Sequence, residues 1–190
     1  QTNSEGDMCE RIHQGYAEGV DAVLINAGAW TAVDKAETER DAAFAVNADA
    51  PRLLAELASA RGARLVHYST DYVFAGDKPG RYREDDPVQP LNVYGASKLA
   101  GETAIAQRCP KHLILRTSWV VGAHGGNFLK TMLRLAAERD TLRVVADQIG
   151  VPTSTNLLAD VTVALITAME NAATSDTRWG VYHVASGGET

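Results

Sequence analysis

Apolar positions along the chain fall into short runs separated by longer periodic stretches. Ala22-Val-Leu-Ile25 is a four-residue apolar run ending in Asn-Ala-Gly, the pattern of a buried strand leading into a loop. Arg64-Leu-Val-His-Tyr-Ser69 and His112-Leu-Ile-Leu-Arg-Thr117 repeat it. Leu142-Arg-Val-Val145 and Gly180-Val-Tyr-His-Val184 are shorter or less apolar versions. Between these runs, residues 49–61 place Leu53, Leu54, Leu57 and Ala58 at three-to-four spacing and stop at Gly62, which predicts a helix with a C-terminal glycine cap. Residues 93–107, 128–139 and 157–171 read the same way. The alternation predicts an α/β architecture, a parallel sheet with helices on both faces. Two stretches break the rhythm. Residues 74–92 hold Gly76, Gly80, Pro87 and Pro90 among charges, and loops of that length usually carry function or are disordered. Residues 121–127 form a turn with Gly122, Gly125 and Gly126.

Composition narrows the function classes. At 190 residues the chain makes about one domain, or one with a small annex. Eighteen Lys+Arg against 24 Asp+Glu give a net charge of −6, so no basic field attracts nucleic acid or an anionic membrane. No apolar run approaches the ~18–20 residues of a membrane span, and the first seven residues are too polar for a signal peptide. Two cysteines, Cys9 and Cys109, do not make a disulfide scaffold and read as free thiols in a reducing cytoplasm. Neither has a close histidine, and no cluster has metal-ligand spacing. A cytoplasmic enzyme or binding domain remains. Oligomeric state has no signature in these residues.

The segment richest in chemistry is Tyr94-Gly-Ala-Ser-Lys98. Tyr and Lys four apart share one helix face, and a nearby ammonium lowers a phenol from its usual ~10 toward the range of a neutral-pH general acid. The pair by itself also arises by chance on surface helices. Ser69-Thr70-Asp71 follows a strand, where ligands bind in open parallel sheets. A hydroxyl of Thr70 or Ser69 is placed to meet a carbonyl oxygen and Asp71 a sugar hydroxyl; the same trio equally caps a turn. Trp119 lies just past another strand, as a stacking platform or as core. His67, inside a strand, reads as a satisfied core histidine, and the charges of 81–86 as a solvated loop face.

Together these segments resemble the extended short-chain dehydrogenase/reductase family, and within it the 4-ketoreductases of sugar nucleotides that serve dTDP-rhamnose synthesis. The matching stretches are Thr31-Ala-Val-Asp-Lys-Ala-Glu37, His67-Tyr-Ser-Thr-Asp-Tyr-Val-Phe74, Pro90-Leu-Asn-Val-Tyr-Gly-Ala-Ser-Lys-Leu-Ala-Gly-Glu102, Leu115-Arg-Thr-Ser-Trp-Val120, Asn127-Phe-Leu-Lys-Thr-Met132 and Asp147-Gln-Ile-Gly-Val-Pro-Thr153. The resemblance implies hydride transfer from NADPH or NADH to the C4 ketone of a small-molecule sugar nucleotide. It implies Tyr94 as proton donor, Lys98 lowering the Tyr94 pKa and holding the nicotinamide ribose, and Thr70 polarising the carbonyl. It further implies Asp71 and Trp119 as substrate contacts, and Asn26-Ala-Gly-Ala29 as the small-residue turn beside the cofactor, with Gly28 in place of the usual Ala harmless.

One family feature is missing. No G-x-x-G-x-x-G turn precedes Asn26, the early glycines being Gly6, Gly15 and Gly19. Such a turn seats the cofactor pyrophosphate on a helix N-terminus through N–H contacts of about 1.5–3 kcal/mol each, so cofactor affinity is expected to fall by orders of magnitude. The first thirty-one residues instead resemble type II 3-dehydroquinate dehydratases, through Gln1-Thr-Asn-Ser-Glu-Gly-Asp7, Glu10-Arg-Ile-His13 and Asp21-Ala-Val-Leu-Ile-Asn-Ala-Gly-Ala-Trp-Thr31. That predicts a hybrid or truncated chain: a dehydratase-like segment over 1–31, a Rossmann-like core lacking the family's first β-α-β over 32–146, and a partial substrate domain over 147–190. The rival to the enzyme is a non-catalytic sugar-nucleotide- or partner-binding module on the same fold.

Overall fold

The computed structural model describes residues 22–145 and 147–188. The readings made above on residues 1–21, Cys9 and the dehydratase-like glutamine segment included, lie outside them. Four parallel strands form the central sheet in the order β1 (Val23–Asn26), β2 (Arg64–Thr70), β3 (His112–Thr117) and β6 (Gly180–His183). Registers such as Ile25↔Val66, Val66↔Leu113 and Leu115↔Tyr182 align the strands' carboxyl ends along one edge.

Side-chain alternation along the strands divides the core in two. Ala55, Ala58, Leu65, Ile105 and Ile114 pack on the face covered by helices α3 (Ala50–Ala60) and α4 (Val93–Arg108). Val66, Leu113, Leu115, Leu158 and Met169 pack on the other, under α6 (Thr155–Ala168). Helices therefore cover both faces, as the apolar runs predict. Each of the three later helices opens on a side-chain cap: Asn92 accepts from the Gly95 amide for α4, Asn127 from Lys130 for α5 (Phe128–Glu138), and Ser154 from Leu157 for α6. Among the described residues no helix is long and apolar enough to cross a membrane.

One reading needs correction. Leu142–Val145 forms no strand: the stretch is irregular, and Val144 and Val145 are 51% and 65% exposed, so it has no sheet to bury an apolar face against. A second, two-stranded sheet appears instead, β4 (Val120–Val121) pairing in parallel with β5 (Thr153–Ser154). The short helices α1 (Val33–Ala36) and α2 (Arg40–Phe44) and the π-helical turn Ala45–Asp49 leading into α3 carry no apolar period, and periodicity does not find them.

Candidate active site

On the sheet face toward α4 the strands change character along their length. Leu65 and Ile114 are apolar, but the positions two or four further on, His67, Ser69 and Arg116, are polar and buried. Helix α4 mirrors the change, with Ile105 toward the apolar half and Ser97, Lys98 and Glu102 toward the polar half. Burying such groups requires partners, and each has them. Arg116 Nη2 donates to Glu102 Oε2 at 2.7 Å, Arg116 Nε donates to both carboxylate oxygens, and the Ser69 hydroxyl donates to Glu102 Oε1 at 2.5 Å. Lys98, 1% exposed, reaches the Tyr68 carbonyl at 2.7 Å and His67 Nε2 at 3.3 Å.

This layer fixes the first turn of α4, where Tyr94 stands. Gly95 lies so close to β2's exit that a β-carbon there would sit 2.2 Å from the Tyr72 carbonyl oxygen. The ring of Tyr94 meets that of Tyr72 edge-on at 5.5 Å. Thr70 ends β2: its hydroxyl accepts from the Tyr72 amide, capping the 3₁₀ turn Asp71–Val73, donates to Asp71 and lies beside the Tyr94 phenol. The capping reading and the catalytic reading of Thr70 thus meet in one side chain, whereas Ser69 is committed to Glu102. Asp71 is held above the ordinary carboxylate range, chiefly by burial.

The Tyr94 phenol differs from expectation. Burial pushes it above its ordinary value and the Asp71 carboxylate adds to that, against the lowering effect of the neighbouring Thr70 hydroxyl. The lysine does not lower it, because the Lys98 amine is aimed into the sheet edge, at Tyr68 and His67. Lys98 itself is lowered to about 8 by burial, with the Glu102 charge opposing.

The turn after β1 joins the cluster by two routes. The Asn26 amide lies 2.9 Å from His67 Nδ1 and accepts from the Gly28 amide at 3.1 Å. Asn47, fully buried in the π-turn, accepts from the Trp30 amide and donates to the Trp30 carbonyl and to the Ser97 hydroxyl, which in turn donates to the Tyr94 carbonyl. An added β-carbon at Gly28 would meet only Asn26 Oδ1, at 3.5 Å, so glycine or alanine fits there, in agreement with expectation. Asn26, Ala27, Gly28, Ala29, Tyr94 and Lys98 lie toward the carboxyl edge of the parallel sheet, where such folds bind their ligands. No G-x-x-G-x-x-G sequence precedes Asn26. Among the described residues no group of three or more His, Cys, Asp or Glu gathers to hold a metal.

Trp119 stands on the turn between β3 and β4 with φ of +40°, a left-handed backbone uncommon outside glycine. Its carbonyl accepts from the Thr153 amide, and its indole lies over Gly150, where a β-carbon would come within 2.6 Å of the ring. At 37% exposure it is not a core residue. The 81–86 run is not wholly solvated either: Glu84 accepts the His183 amide of β6, and Arg116 donates to the Glu84 carbonyl. Glu102, Arg116 and Asn47 escape sequence reasoning. Each is a single polar residue in an otherwise ordinary helix, strand or turn, marked only by lying where a buried face belongs.

A Rossmann-like parallel sheet with a tyrosine–lysine helix behind its carboxyl edge defines the class of short-chain dehydrogenase/reductase folds. Its family follows from the sequence: residues 4–190 match the RmlD substrate binding domain, and the chain belongs to that family. It is 52% identical over 168 residues to the dTDP-4-dehydrorhamnose reductase of Salmonella typhimurium, covering 88% of this chain and 55% of that protein. To the Escherichia coli K12 enzyme of the same name it is 48% identical over 181 residues, 93% of this chain and 60% of that one. Among solved structures it resembles the Clostridium acetobutylicum dTDP-4-dehydrorhamnose reductase with a TM-score of 0.83 and 39% identity, over 94% of this chain and 60% of that one. The Bacillus anthracis reductase in complex with NADP superposes with a TM-score of 0.80 and 42% identity, over 95% and 62%. The chain thus spans under two thirds of the length of these relatives. Because the family match begins at residue 4, it runs through the dehydratase-like stretch and lends no support to a change of family at Thr31.

Proposed function

We propose that this chain carries the catalytic face of an NAD(P)H-dependent reductase acting on dTDP-4-dehydro-L-rhamnose, giving dTDP-L-rhamnose in the cytoplasm. A bound dihydronicotinamide supplies the hydride to C4 of the sugar. The Thr70 hydroxyl donates a hydrogen bond to the C4 carbonyl oxygen, and the Tyr94 phenol gives that oxygen its proton. Lys98 holds the nicotinamide ribose beside the Asn26–Ala29 turn, Asp71 accepts from a sugar hydroxyl, and Trp119 stacks on an apolar face of the ligand. The observation that carries this reading is the meeting of Thr70, Asp71 and the Tyr94 phenol at the carboxyl end of β2, with Lys98 buried one helical turn away. The names and the NADP complex of the relatives support it.

A fluorescence titration of the 190-residue chain with NADPH and NADH, followed by the 4-keto sugar nucleotide, tests the proposal. Cofactor binding with substrate-dependent loss of the reduced-nicotinamide signal is the expected result, and no binding at millimolar cofactor overturns it. The burial of the Lys98 amine against Tyr68 and His67 favours a second reading, a sugar-nucleotide-binding module whose reductase residues are idle. That reading predicts sugar-nucleotide affinity without any oxidation of cofactor.

A further inference from the structure

His67 is fully buried on β2 and touches both Asn26 and Lys98. Its surroundings constrain which ring nitrogen carries the proton. The Gly28 amide can only donate, and it points at Asn26 Oδ1. The other end of that amide, the Nδ2 group, therefore faces the imidazole and donates to Nδ1. An Nδ1 that accepts bears no hydrogen, so a neutral ring carries its proton on Nε2, facing the Lys98 amine 3.3 Å away. An N–H facing Lys98 is satisfied by the lone pair of a neutral amine, which keeps a hydrogen to donate to the Tyr68 carbonyl. An ammonium needs the reverse: an accepting Nε2, an Nδ1–H, a turned Asn26 amide, and a Gly28 amide left facing an NH₂ group.

We propose that His67 is a positioning residue, neutral and protonated on Nε2, that orients the Lys98 amine and couples its charge to the Asn26–Gly28 turn. Its place in the reaction rests on the reductase reading above, but the coupling itself does not. Burial, then the charge of Lys98, holds the imidazole well below its ordinary pKa, in keeping with a neutral ring. The other charged group acting on Lys98 is Glu102, one turn further along α4 and paired with Arg116 of β3 and Ser69 of β2. Tyr94 lies one turn before Lys98 on the same helix. Toward His67 itself the neighbours are Lys98 of α4 and the uncharged Asn26 of β1.

Long-range ¹H–¹⁵N spectra of the histidine rings of the whole chain read the tautomer directly, without turnover. The expected result is a His67 ring protonated on Nε2 above about pH 9, where Lys98, with its value of about 8, is a neutral amine. An Nδ1-protonated ring or an imidazolium in that window overturns the proposal. A second measurement follows Lys98 through ¹³Cε-labelled lysine. In Asn26→Asp the new carboxylate can only accept, which forces Nδ1–H, makes Nε2 an acceptor and favours the ammonium. The Lys98 midpoint should then rise by about one pH unit, roughly tenfold in proton affinity. In the Asn26→Asp/His67→Phe double variant, where only the added charge acts, the rise should be less than half as large. Equal rises with and without the imidazole overturn the coupling. If the reductase reading fails while these results hold, the relay stands as a property of the fold.

Discussion

Helices α4 and α5 invert the ordinary relation between polarity and burial. Helix α4 buries Ser97, Lys98 and Glu102 along with two glycines and a single isoleucine. Helix α5 buries no residue, and its Phe128 and Leu133 are each 65% exposed. By pattern alone α5 is the more convincing amphipathic helix, yet it is α4 whose every buried polar group has a named partner on a neighbouring element. The difference teaches where precision comes from. Apolar contact is non-directional, whereas a buried carboxylate or amine is tolerated only in the geometry that satisfies it, so it holds its helix to a fraction of an ångström.

The sharpest way to break this contrast is chemical. Tyr94→Phe should lower turnover by about a hundred- to ten-thousandfold while leaving sugar-nucleotide affinity nearly intact, as steady-state rates beside a binding titration would read. A near-normal rate would move the site off α4. Removing one partner of the buried pair, by Arg116→Met or Glu102→Gln, should cost about 3–5 kcal/mol in urea unfolding, since the other is left uncompensated. Replacing both, with Glu102→Leu and Arg116→Met together, should recover much of that loss. Single losses below 1 kcal/mol would show that the pair is not what seats the helix.

Lys98 gives a pH test with a definite sign. Its folded value of about 8 lies below the ~10.4 of a free lysine, so the unfolded chain binds more protons between the two. Stability should therefore rise with pH across that window, by up to about 1.4 kcal/mol per unit, relative to Lys98→Met. A flat difference would mean that the amine ionises as it does in water. The smallest effect belongs to α5: Leu133→Ala, at an exposed position, should change stability by no more than about 0.5 kcal/mol. A larger loss would show that α5 is held by contacts beyond those described.

How much of this was legible in the sequence depends on range. The strands β1, β2, β3 and β6 announce themselves as short apolar runs, and the helices α3 to α6 as longer stretches between them with apolar residues at three-to-four spacing. Thr70, Asp71, Tyr94 and Lys98 were legible as motifs, and the structure gathers them at one sheet edge. The polar layer was not, because nothing in the spacing of Ser69, Glu102 and Arg116 says that three elements bring them together. The elevated phenol of Tyr94 was missed for the same reason. A four-residue spacing places Lys98 on the right side of the helix, but only the fold reveals that its amine turns toward Tyr68 and His67.

The strand order also has a consequence in time. β6 is the last strand in sequence, yet it pairs with β3, and its His183 amide binds Glu84 in the loop of residues 74–92. Ribosomal synthesis proceeds at about 5–20 residues per second, so β2, α4 and β3 emerge seconds before β6. A growing chain can thus assemble Thr70, Tyr94 and Lys98 early, while the loop carrying Glu84 waits for its anchor. The interior of the site is set by neighbours in sequence, and its rim by a late, long-range closure of the kind that slows folding.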